Sequence, residues 1–154
     1  MTILFSTPAF DSGDTIPTRY TCDGADISPA ISWGSLPENT ASLALIFEDP
    51  DAPTGVFSHW VIYNIPPEKD GLQEDLPKDS ELPWGATQGR NDFGNIGYGG
   101  PCPPQGEEHS YHFRLFALSE TFDLPEGLNR DQILENILAH VIEEVELIGR
   151  YQRS

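Results

Sequence analysis

Three segments of the sequence alternate with a period of two residues, which is the side-chain period of a β-strand. They are SLALIFED at 42–49, HWVIYNIP at 59–66 and HSYHFRLFAL at 109–118. Glycine, proline, asparagine and aspartate separate such segments along the chain, and the sequence contains no internal repeat. Many short strands between turn residues predict a β-sandwich or a β-barrel.

Alternation also predicts which side of each strand is buried. Both faces of the first segment are mostly apolar, so this strand should lie inside a sheet. The second segment would place four residues on one face, namely His59, Val61, Tyr63 and Ile65. The third has one apolar face, formed by His109, Tyr111, Phe113, Leu115 and Ala117. The stretch 66–95 has no period and predicts a long connecting region, of the kind that is usually functional or mobile.

The period changes near the C-terminus. Apolar residues at helical spacing run from Ile133 to Val141, behind Asn129 as a cap with Gln132 at the third helical position. We expect this helix to end near Ala139. The tail EVELIGRYQR alternates again and predicts a final strand. The length of 154 residues fits a single domain over 1–154.

The charge balance excludes some classes of partner. The chain has 25 acidic and 8 basic residues, a net charge of -17, and no lysine or arginine cluster. This field repels nucleic acids and anionic membrane surfaces, and we attribute the acidity to solubility or to a salty medium. The N-terminus MTILFSTPAF lacks the basic start and apolar run of a secretory signal, and no later segment reaches membrane-spanning length. These features predict a cytoplasmic protein without membrane insertion.

Two cysteines, Cys22 and Cys102, are too few and too far apart for a zinc ribbon or a C-x-x-C redox motif. They are either two thiols or one disulfide. A reducing cytoplasm favours two small, buried thiols, which is the expectation here. A bridge across so long a segment would stabilise the fold by roughly 4 kcal/mol in the chain-entropy model.

Strand direction suggests a role for the two aspartates of the DPDAP motif. Asp49 and Asp51 follow the end of one predicted strand, whereas His59 and His109 begin two others. If those strands run antiparallel to the first, the four side chains meet at one edge of the sheet. Tyr111 points the same way as His109 because it lies two residues further along the strand. The sequence therefore predicts a cavity lined by histidine, aspartate and tyrosine.

Such a cavity fits three kinds of chemistry. In the first, protonated imidazoles hold a small anion such as phosphate, together with N–H groups of the glycine-rich loop at 97–108, while a carboxylate orients a ring. In the second, the aspartates and histidines bind a divalent metal of a hydrolase or lyase. In the third, Ser58 or Ser110 is a nucleophile, although the sequence has no G-x-S-x-G elbow.

Structural roles are the alternative for each of these residues. Asp49 and Asp51 would equally cap a proline turn through Asx hydrogen bonds. We assign His112 to structure because it faces away from the predicted cavity, and His140 because it lies at the helix end, where a cation is favourable. The three tryptophans are expected to be core residues or cavity walls: Trp33, Trp60 and Trp84.

Taken together, DPDAP, HWVIYNIP and GYGGPCPPQGEEHSYHFRLFAL resemble the phosphatidylethanolamine-binding protein family, and more closely its prokaryotic Raf-kinase-inhibitor-like branch. YTCDGADISPAISW at 20–33, GRNDFG at 89–94 and the closing LIGRY fit the same branch. The resemblance covers nearly the whole chain, and the order and spacing of the motifs are highly specific. It implies an antiparallel β-sandwich with a small anion-binding cavity at one end.

The resemblance also implies roles for particular residues. The ligand-binding residues would be Asp49, Asp51, His59, Gly100, Pro101, His109 and Tyr111. A cis proline is common in the DPDAP turn of the family, and here it would be Pro53. Eukaryotic members have a C-terminal helix that can shield the cavity. This chain stops at Ser154 after a predicted strand, so we expect a mouth that is open or covered by a dimer partner.

These observations lead to one expectation and two alternatives. We expect a non-enzymatic protein, regulatory in role, that binds phosphate, a phosphorylated group or a carboxylate, with no catalytic residue, metal or cofactor. The second hypothesis is a protein inhibitor of a kinase or protease that acts through surface loops such as 66–95. The third, ranked last, is a metal-dependent hydrolase that uses Asp49, Asp51, His59 and His109. Some prokaryotic members of the family form homodimers, and the sequence favours neither a monomer nor a dimer.

Overall fold

A computed structural model describes residues 2–154, which form two antiparallel β-sheets packed on each other. The strand order is β6-β4-β3-β7-β8 in the larger sheet and β1-β2-β5 in the smaller one. The strands are β1 (Leu4–Ser6), β2 (Ile31–Gly34), β3 (Ser42–Asp49), β4 (Phe57–Ile65), β5 (Gly71–Leu72), β6 (Thr87–Gln88), β7 (Glu108–Leu118) and β8 (Val141–Gln152). One α-helix, α1 (Arg130–Ile137), precedes β8. The predicted sandwich with one helix and a final strand is confirmed. Met1, which the predicted domain includes, lies outside the described residues.

Strand β3 lies at the centre of the larger sheet, paired with β4 on one side and β7 on the other. All eight of its residues are buried. Leu43, Leu45 and Phe47 pack between the two sheets, whereas Ala44 and Ile46 pack beneath α1. Burying one large apolar side chain in this way contributes about 1.5–3 kcal/mol to stability. The prediction of an interior strand with two apolar faces is confirmed.

Strand β7 has the buried face that alternation predicts. Its members are all buried: His109, Tyr111, Phe113, Leu115 and Ala117. On the opposite face, His112 and Arg114 are partly exposed, but Phe116 and Leu118 are buried beneath α1. The second face therefore becomes apolar where the helix covers the sheet.

Strand β4 departs from strict alternation. The prediction that His59, Val61, Tyr63 and Ile65 share one face is therefore wrong. Val61 and Tyr63 pack beneath α1, whereas Ile65 belongs to the core between the sheets. The pairing with β3 shifts register twice along the strand. Each shift is a β-bulge, in which one extra residue reverses the faces that follow. Alternation in the sequence does not reveal such an insertion.

One of the two bulges lies at His59. In the pairing of β4 with β3, Trp60 is opposite Phe47, but the next paired residue of β4 is Ser58, opposite Glu48. His59 is the extra residue. Its ring lies 5.6 Å from that of Phe47, on the inner side of the larger sheet. The bulge thus directs His59 towards the end of the space between the sheets.

Helix α1 begins where the sequence predicts. The Asn129 side chain accepts a hydrogen bond from the Gln132 N–H, and the Gln132 side chain accepts one from the Asn129 N–H, so the capping box is complete. The α-helix ends at Ile137, and a single 3₁₀ turn at Leu138–His140 leads into β8. The predicted end near Ala139 falls within this turn. No helix among residues 2–154 has the length and apolar character that crossing a membrane requires.

The two cysteines form a disulfide bond, so the expectation of two thiols is wrong. Cys22 and Cys102 have Cα atoms 5.4 Å apart, within the usual range for a bridge. The segment around Cys22 lies against the glycine-rich loop, because the Cys22 N–H donates to the Pro101 carbonyl and the Tyr98 hydroxyl donates to the Tyr20 carbonyl. The disulfide joins residues 80 positions apart in the sequence, and no local pattern predicts it. Cellular location stays a prediction.

The long connecting region at 66–95 contains only two strands, β5 and β6, each of two residues. The absence of a period in this region is thus explained. Trp33 and Trp60 are buried in the core between the sheets, and Trp84, from the connecting region, packs against that core. The expectation that the tryptophans are core residues or cavity walls is confirmed.

Candidate functional site

A cavity of about 270 Å³ opens at the edge of the larger sheet where β3 ends and where β4 and β7 begin. Its polar lining consists of Asp49, Thr54, His59, His109 and Tyr111. Its apolar lining consists of Ala52, Pro53, Phe57, Phe93, Cys102, Pro103 and Pro104. Two larger hollows of the described surface, of about 420 and 470 Å³, contain no histidine. The antiparallel strands therefore bring both predicted histidines to one cavity.

Asp49 and His109 form a buried pair at the base of this cavity. The His109 Nδ1 lies 2.6 Å from the Asp49 Oδ2, and each side chain is 5% exposed. The other carboxylate oxygen of Asp49 accepts a hydrogen bond of 2.8 Å from the Asp51 N–H, which is an Asx turn. One carboxylate oxygen of Asp49 thus orients a histidine of the cavity, and the other caps the turn. Asp49 has both of the roles that the sequence suggested. The carboxylate fixes the orientation of the His109 ring through Nδ1, so Nε2 is the ring nitrogen that can contact a ligand.

The pKa of His109 lies above its ordinary value. Desolvation disfavours the charged ring, but the hydrogen bond and negative charge of Asp49, followed by those of Glu107, outweigh it. The Glu107 Oε1 is 3.5 Å from the His109 Nε2, and its side chain is 58% exposed. The protonated form of the His109 ring is therefore favoured, and the carboxylate nearest to its Nε2 is that of the solvent-exposed Glu107.

His59 lies on the other side of the cavity base, and its pKa is shifted in the opposite direction from that of His109. Its Nδ1 is 2.7 Å from the Gly99 carbonyl oxygen. Because a carbonyl only accepts, the proton of the neutral ring is on Nδ1, and Nε2 is an acceptor. Burial lowers the pKa of His59, and the Gly99 hydrogen bond and the Asp49 charge offset this only in part. Nε2 makes no hydrogen bond with any of residues 2–154.

Tyr111 lies between the two histidines. Its ring centroid is 5.4 Å from that of His59 and 6.3 Å from that of His109. The Tyr111 hydroxyl is buried and has no hydrogen-bond partner among residues 2–154. Burial, and then the charges of Asp49 and Asp51, raise the pKa of the phenol far above its ordinary value. The cavity therefore contains a neutral hydroxyl donor that the fold itself does not use.

Three of the residues assigned to ligand binding by resemblance do not line the cavity. Asp51 is exposed, and its Oδ2 accepts a hydrogen bond of 2.9 Å from the Ser110 N–H, so it holds the turn against β7. Gly100 and Pro101 are both buried, and Gly100 lines a neighbouring cavity instead of this one. The Gly100 N–H donates to the Asp26 Oδ1 at 2.7 Å. A side chain at Gly100 would collide with the Tyr20 carbonyl oxygen, 2.3 Å from an added Cβ. Gly100 is thus required for close packing of the loop.

The expected cis bond before Pro53 is absent. No peptide bond among residues 2–154 is cis. The Gly55 N–H donates to the Ala52 carbonyl at 3.1 Å, which places Pro53 at the second position of a β-turn. A trans proline fits that position because its fixed φ suits the turn. Pro53 still stiffens the segment and forms part of the cavity wall.

An apolar rim was missed in the sequence. The Phe93 ring packs against the rings of Phe57 at 4.8 Å and His59 at 5.4 Å, and Phe93 is 47% exposed. Pro103 and Pro104 face the cavity from the glycine-rich loop. The signal for Phe57 was its position two residues before His59. The sequence signal for Phe93 was weaker, because it was only a single aromatic residue within the turn NDFGN.

The alternatives for the site have less geometric support. No three His, Cys, Asp or Glu side chains in the described part of the chain are placed to hold a metal ion. Neither Ser58 nor Ser110 lines the cavity. His112 contacts Glu146 at 2.8 Å, and His140 packs on Phe122, so both lie outside the cavity.

Comparison with known proteins gives consistent matches over nearly the full chain. The family model for phosphatidylethanolamine-binding protein matches residues 6–152. A UPF0098 protein of Methanothermobacter thermautotrophicus is 52% identical over 148 residues, covering 96% of this chain and 97% of the relative. A UPF0098 protein of Aquifex aeolicus is 49% identical over 148 residues, covering 95% of this chain and 86% of the relative.

Two solved structures share the fold. One is a phosphatidylethanolamine-binding protein homologue from Chlamydia trachomatis, with a TM-score of 0.90, 37% identity and 99% of both chains covered. The other is Escherichia coli YbcL, described as a new member of the mammalian family of these proteins, with a TM-score of 0.93, 32% identity and full coverage of both chains.

Proposed function

The chain belongs to the phosphatidylethanolamine-binding protein family, and from that premise we propose that it is a non-enzymatic, regulatory protein whose cavity binds a phosphate or phosphorylated group. The observation that carries the proposal is the buried Tyr111 hydroxyl, which has no partner and lies between His59 and the Asp49–His109 pair. A buried donor without a partner costs about 1–3 kcal/mol. An oxyanion in the cavity would supply the missing acceptor.

Two groups would donate to the oxyanion, and both suit an anionic guest. The imidazolium N–H at His109 Nε2 forms charge-assisted hydrogen bonds, which are roughly twice as strong as neutral ones. The Tyr111 hydroxyl adds a neutral donor in a cavity with apolar walls, where hydrogen bonds are strengthened by the low dielectric. Asp49 balances the charge of His109, and the charge of Glu107, whose side chain is 58% exposed, is screened by solvent.

The acceptor at His59 Nε2 adds selectivity among anions. A fully deprotonated oxyanion would face the lone pair of this nitrogen and be repelled. Inorganic phosphate keeps at least one P–OH throughout the neutral range and can donate it to the nitrogen. A phosphomonoester, whose second pKa is about 6, can do so in its monoanionic form. Sulfate carries no proton in this range. The cavity should therefore prefer phosphate to sulfate.

The non-enzymatic part of the proposal rests on the lining. Neither Ser58 nor Ser110 lines the cavity. The Nδ1 of His109 is hydrogen-bonded to Asp49, and the Nδ1 of His59 is hydrogen-bonded to the Gly99 carbonyl. The apolar rim leaves room for a carbon substituent on the bound group. These features favour holding a phosphorylated ligand over transforming it.

Calorimetric titration with phosphate and with sulfate, at pH 6 and pH 8, tests the proposal. We expect phosphate to bind at least about tenfold more tightly than sulfate at pH 6, since a hydrogen bond to a charged group contributes about 1.5–3 kcal/mol. Phosphate affinity should fall at pH 8. His109 is charged below its raised pKa and loses its proton as the pH rises through it, so its Nε2 then no longer donates a hydrogen bond to the anion.

Single substitutions give the controls for this titration. His59→Ala and His109→Ala should each abolish phosphate binding, whereas His112→Ala, on the opposite face of β7, should leave it unchanged. Affinity that does not depend on pH, or that survives in both cavity variants, would contradict the proposal.

A further inference from the structure

A second cavity, also of about 270 Å³, lies beside the first. The two cavities share Phe93 and Cys102 in their walls, so only the phenylalanine ring and the disulfide separate them. The lining of the second cavity is more polar and includes Asp26, Lys78, Asn91 and Asn95. A ligand anchored in the first cavity that extends past Phe93 would enter the second.

Lys78 is the unusual residue of this second cavity. The six arginines and Lys69 each contact a carboxylate, a carbonyl oxygen or an aromatic ring. The Lys78 ammonium has no such partner within residues 2–154, although the chain carries 25 acidic residues. Asp26 lines the same cavity, but no ion pair within 4.0 Å joins it to Lys78, and its Oδ1 accepts the Gly100 N–H. A cation is therefore available at this place.

The backbone of Gly97 holds Lys78 in position. A Cβ built on Gly97 would lie 3.1 Å from both the Cα and the Cβ of Lys78 and 3.2 Å from its Cγ. The lysine stem thus packs closely on the bare glycine backbone, which has a φ of +95°. Lys78 is exposed and lines the second cavity, and its ammonium forms no ion pair within residues 2–154.

Building on the proposed function, we propose that the second cavity is a subsite for a second anionic group of the same ligand. The ligand class is a phosphomonoester that carries a carboxylate at the far end of an apolar spacer. The phosphoryl group lies at Tyr111 and His109, the spacer crosses Phe93 and the disulfide, and the carboxylate pairs with Lys78. The apolar ring of Phe93 suits a hydrocarbon spacer.

The subsite can be tested by whether a carboxylate added to an alkyl phosphate raises or lowers its affinity. The net charge of -17 repels anions, so a second negative charge on a ligand should weaken its binding unless a specific cation receives it. The probes are a series of n-alkyl phosphates and the matching ω-carboxyalkyl phosphates, titrated by calorimetry at low salt. At one spacer length, we expect the carboxylate to increase affinity about threefold to fivefold, the range of a solvent-exposed ion pair.

Two lysine variants separate the subsite from a general charge effect. Lys78→Met should remove the gain from the carboxylate and leave the affinity for the alkyl phosphate unchanged. Lys69→Met makes the same change in net charge, but its ammonium lies over the Trp84 ring at 4.2 Å and lines neither cavity. The gain should persist in this control.

The outcomes distinguish the subsite from the proposed function beneath it. If alkyl phosphates bind but the carboxylate adds nothing at any spacer length, or if its gain survives Lys78→Met, the subsite is overturned and phosphate binding stands. If neither series binds, the proposed function fails, and the subsite with it.

Discussion

At the scale of single residues, the central observation is a buried tyrosine whose hydroxyl is unused by the fold. Tyr111 is fully buried, and burial raises the pKa of its phenol, which favours the neutral hydroxyl. Native proteins rarely leave such a group without a partner. A hydroxyl kept at that cost, between two histidines, supports the proposed ligand, which would accept its hydrogen bond.

Replacing Tyr111 by phenylalanine should separate binding from stability. Tyr111→Phe is expected to lower phosphate affinity at least about tenfold, because it removes a donor to a charged group. The free energy of unfolding should stay the same or rise by up to about 1–3 kcal/mol, since the buried hydroxyl has no partner within residues 2–154. Calorimetry and urea denaturation of the variant measure the two quantities.

Tyr98→Phe is the matched control for that variant. The Tyr98 hydroxyl donates to the Tyr20 carbonyl at 2.6 Å, so its loss leaves a carbonyl without its donor and should destabilise the fold by about 1–3 kcal/mol. Phosphate affinity should stay as in the native protein. If Tyr111→Phe instead loses stability and retains affinity, its hydroxyl has a structural role and the site is misassigned.

The sequence was sufficient to find the residues at strand ends but not those on loops. Asp49, His59, His109 and Tyr111 were predicted correctly as cavity residues, because strand direction and period determine where such side chains lie. Gly100 lines the neighbouring cavity and not this one, and a motif does not show which of two cavities a loop residue faces. The rim residue Phe93 also lies on a loop and was missed.

At the scale of elements, the β4 bulge and the disulfide-linked loop position the site. The bulge directs His59 into the cavity, and the Gly99 carbonyl of the loop then fixes its ring. Strict alternation placed His59 on the face of Val61 and Tyr63, which is the helix side of the sheet. The sequence therefore predicted the right cavity residue with the wrong strand geometry, since a bulge leaves no mark on a period of two.

Removing the disulfide should weaken both the fold and the site. In the chain-entropy model, a bridge that closes a loop with a sequence separation of 80 contributes about 4 kcal/mol. The double variant Cys22→Ser/Cys102→Ser should lose about this much unfolding free energy in a denaturant titration. Its phosphate affinity should also fall, because Cys102 and the neighbouring prolines form a wall of the cavity.

Thiol reduction of the native protein provides an independent check on this prediction. Reduced protein should match the double variant in both stability and affinity. A double variant as stable as the native protein would show that the contacts around Tyr98 and Gly100, and not the bridge, hold the loop in place.

At the scale of the whole molecule, a strongly negative protein would bind a negative ligand. The net charge of -17 opposes the approach of phosphate, and the cavity must overcome this field locally. The sandwich itself was predictable from alternation and turn residues, and the helix from its period and cap. The disulfide was not, because it depends on contacts between segments far apart in the sequence.

Phosphate affinity should therefore rise when inert salt is first added. Raising the salt concentration from about 10 to 100 mM shortens the screening length from about 30 to 10 Å. This shields the ligand from distant acidic residues and leaves the short hydrogen bonds of the buried cavity largely intact. Calorimetric titrations across this range measure the effect. Affinity that falls steadily from the lowest salt would indicate binding at an exposed cationic patch instead.

The most direct test of phosphate binding in this cavity is a nuclear magnetic resonance titration that follows the ring nitrogens of all four histidines while phosphate is added near pH 6. The account predicts that the Nε2 signals of His59 and His109 shift together and saturate at one dissociation constant, whereas those of His112 and His140 do not move. Equal shifts in all four histidines, or none in His59 and His109, would contradict it.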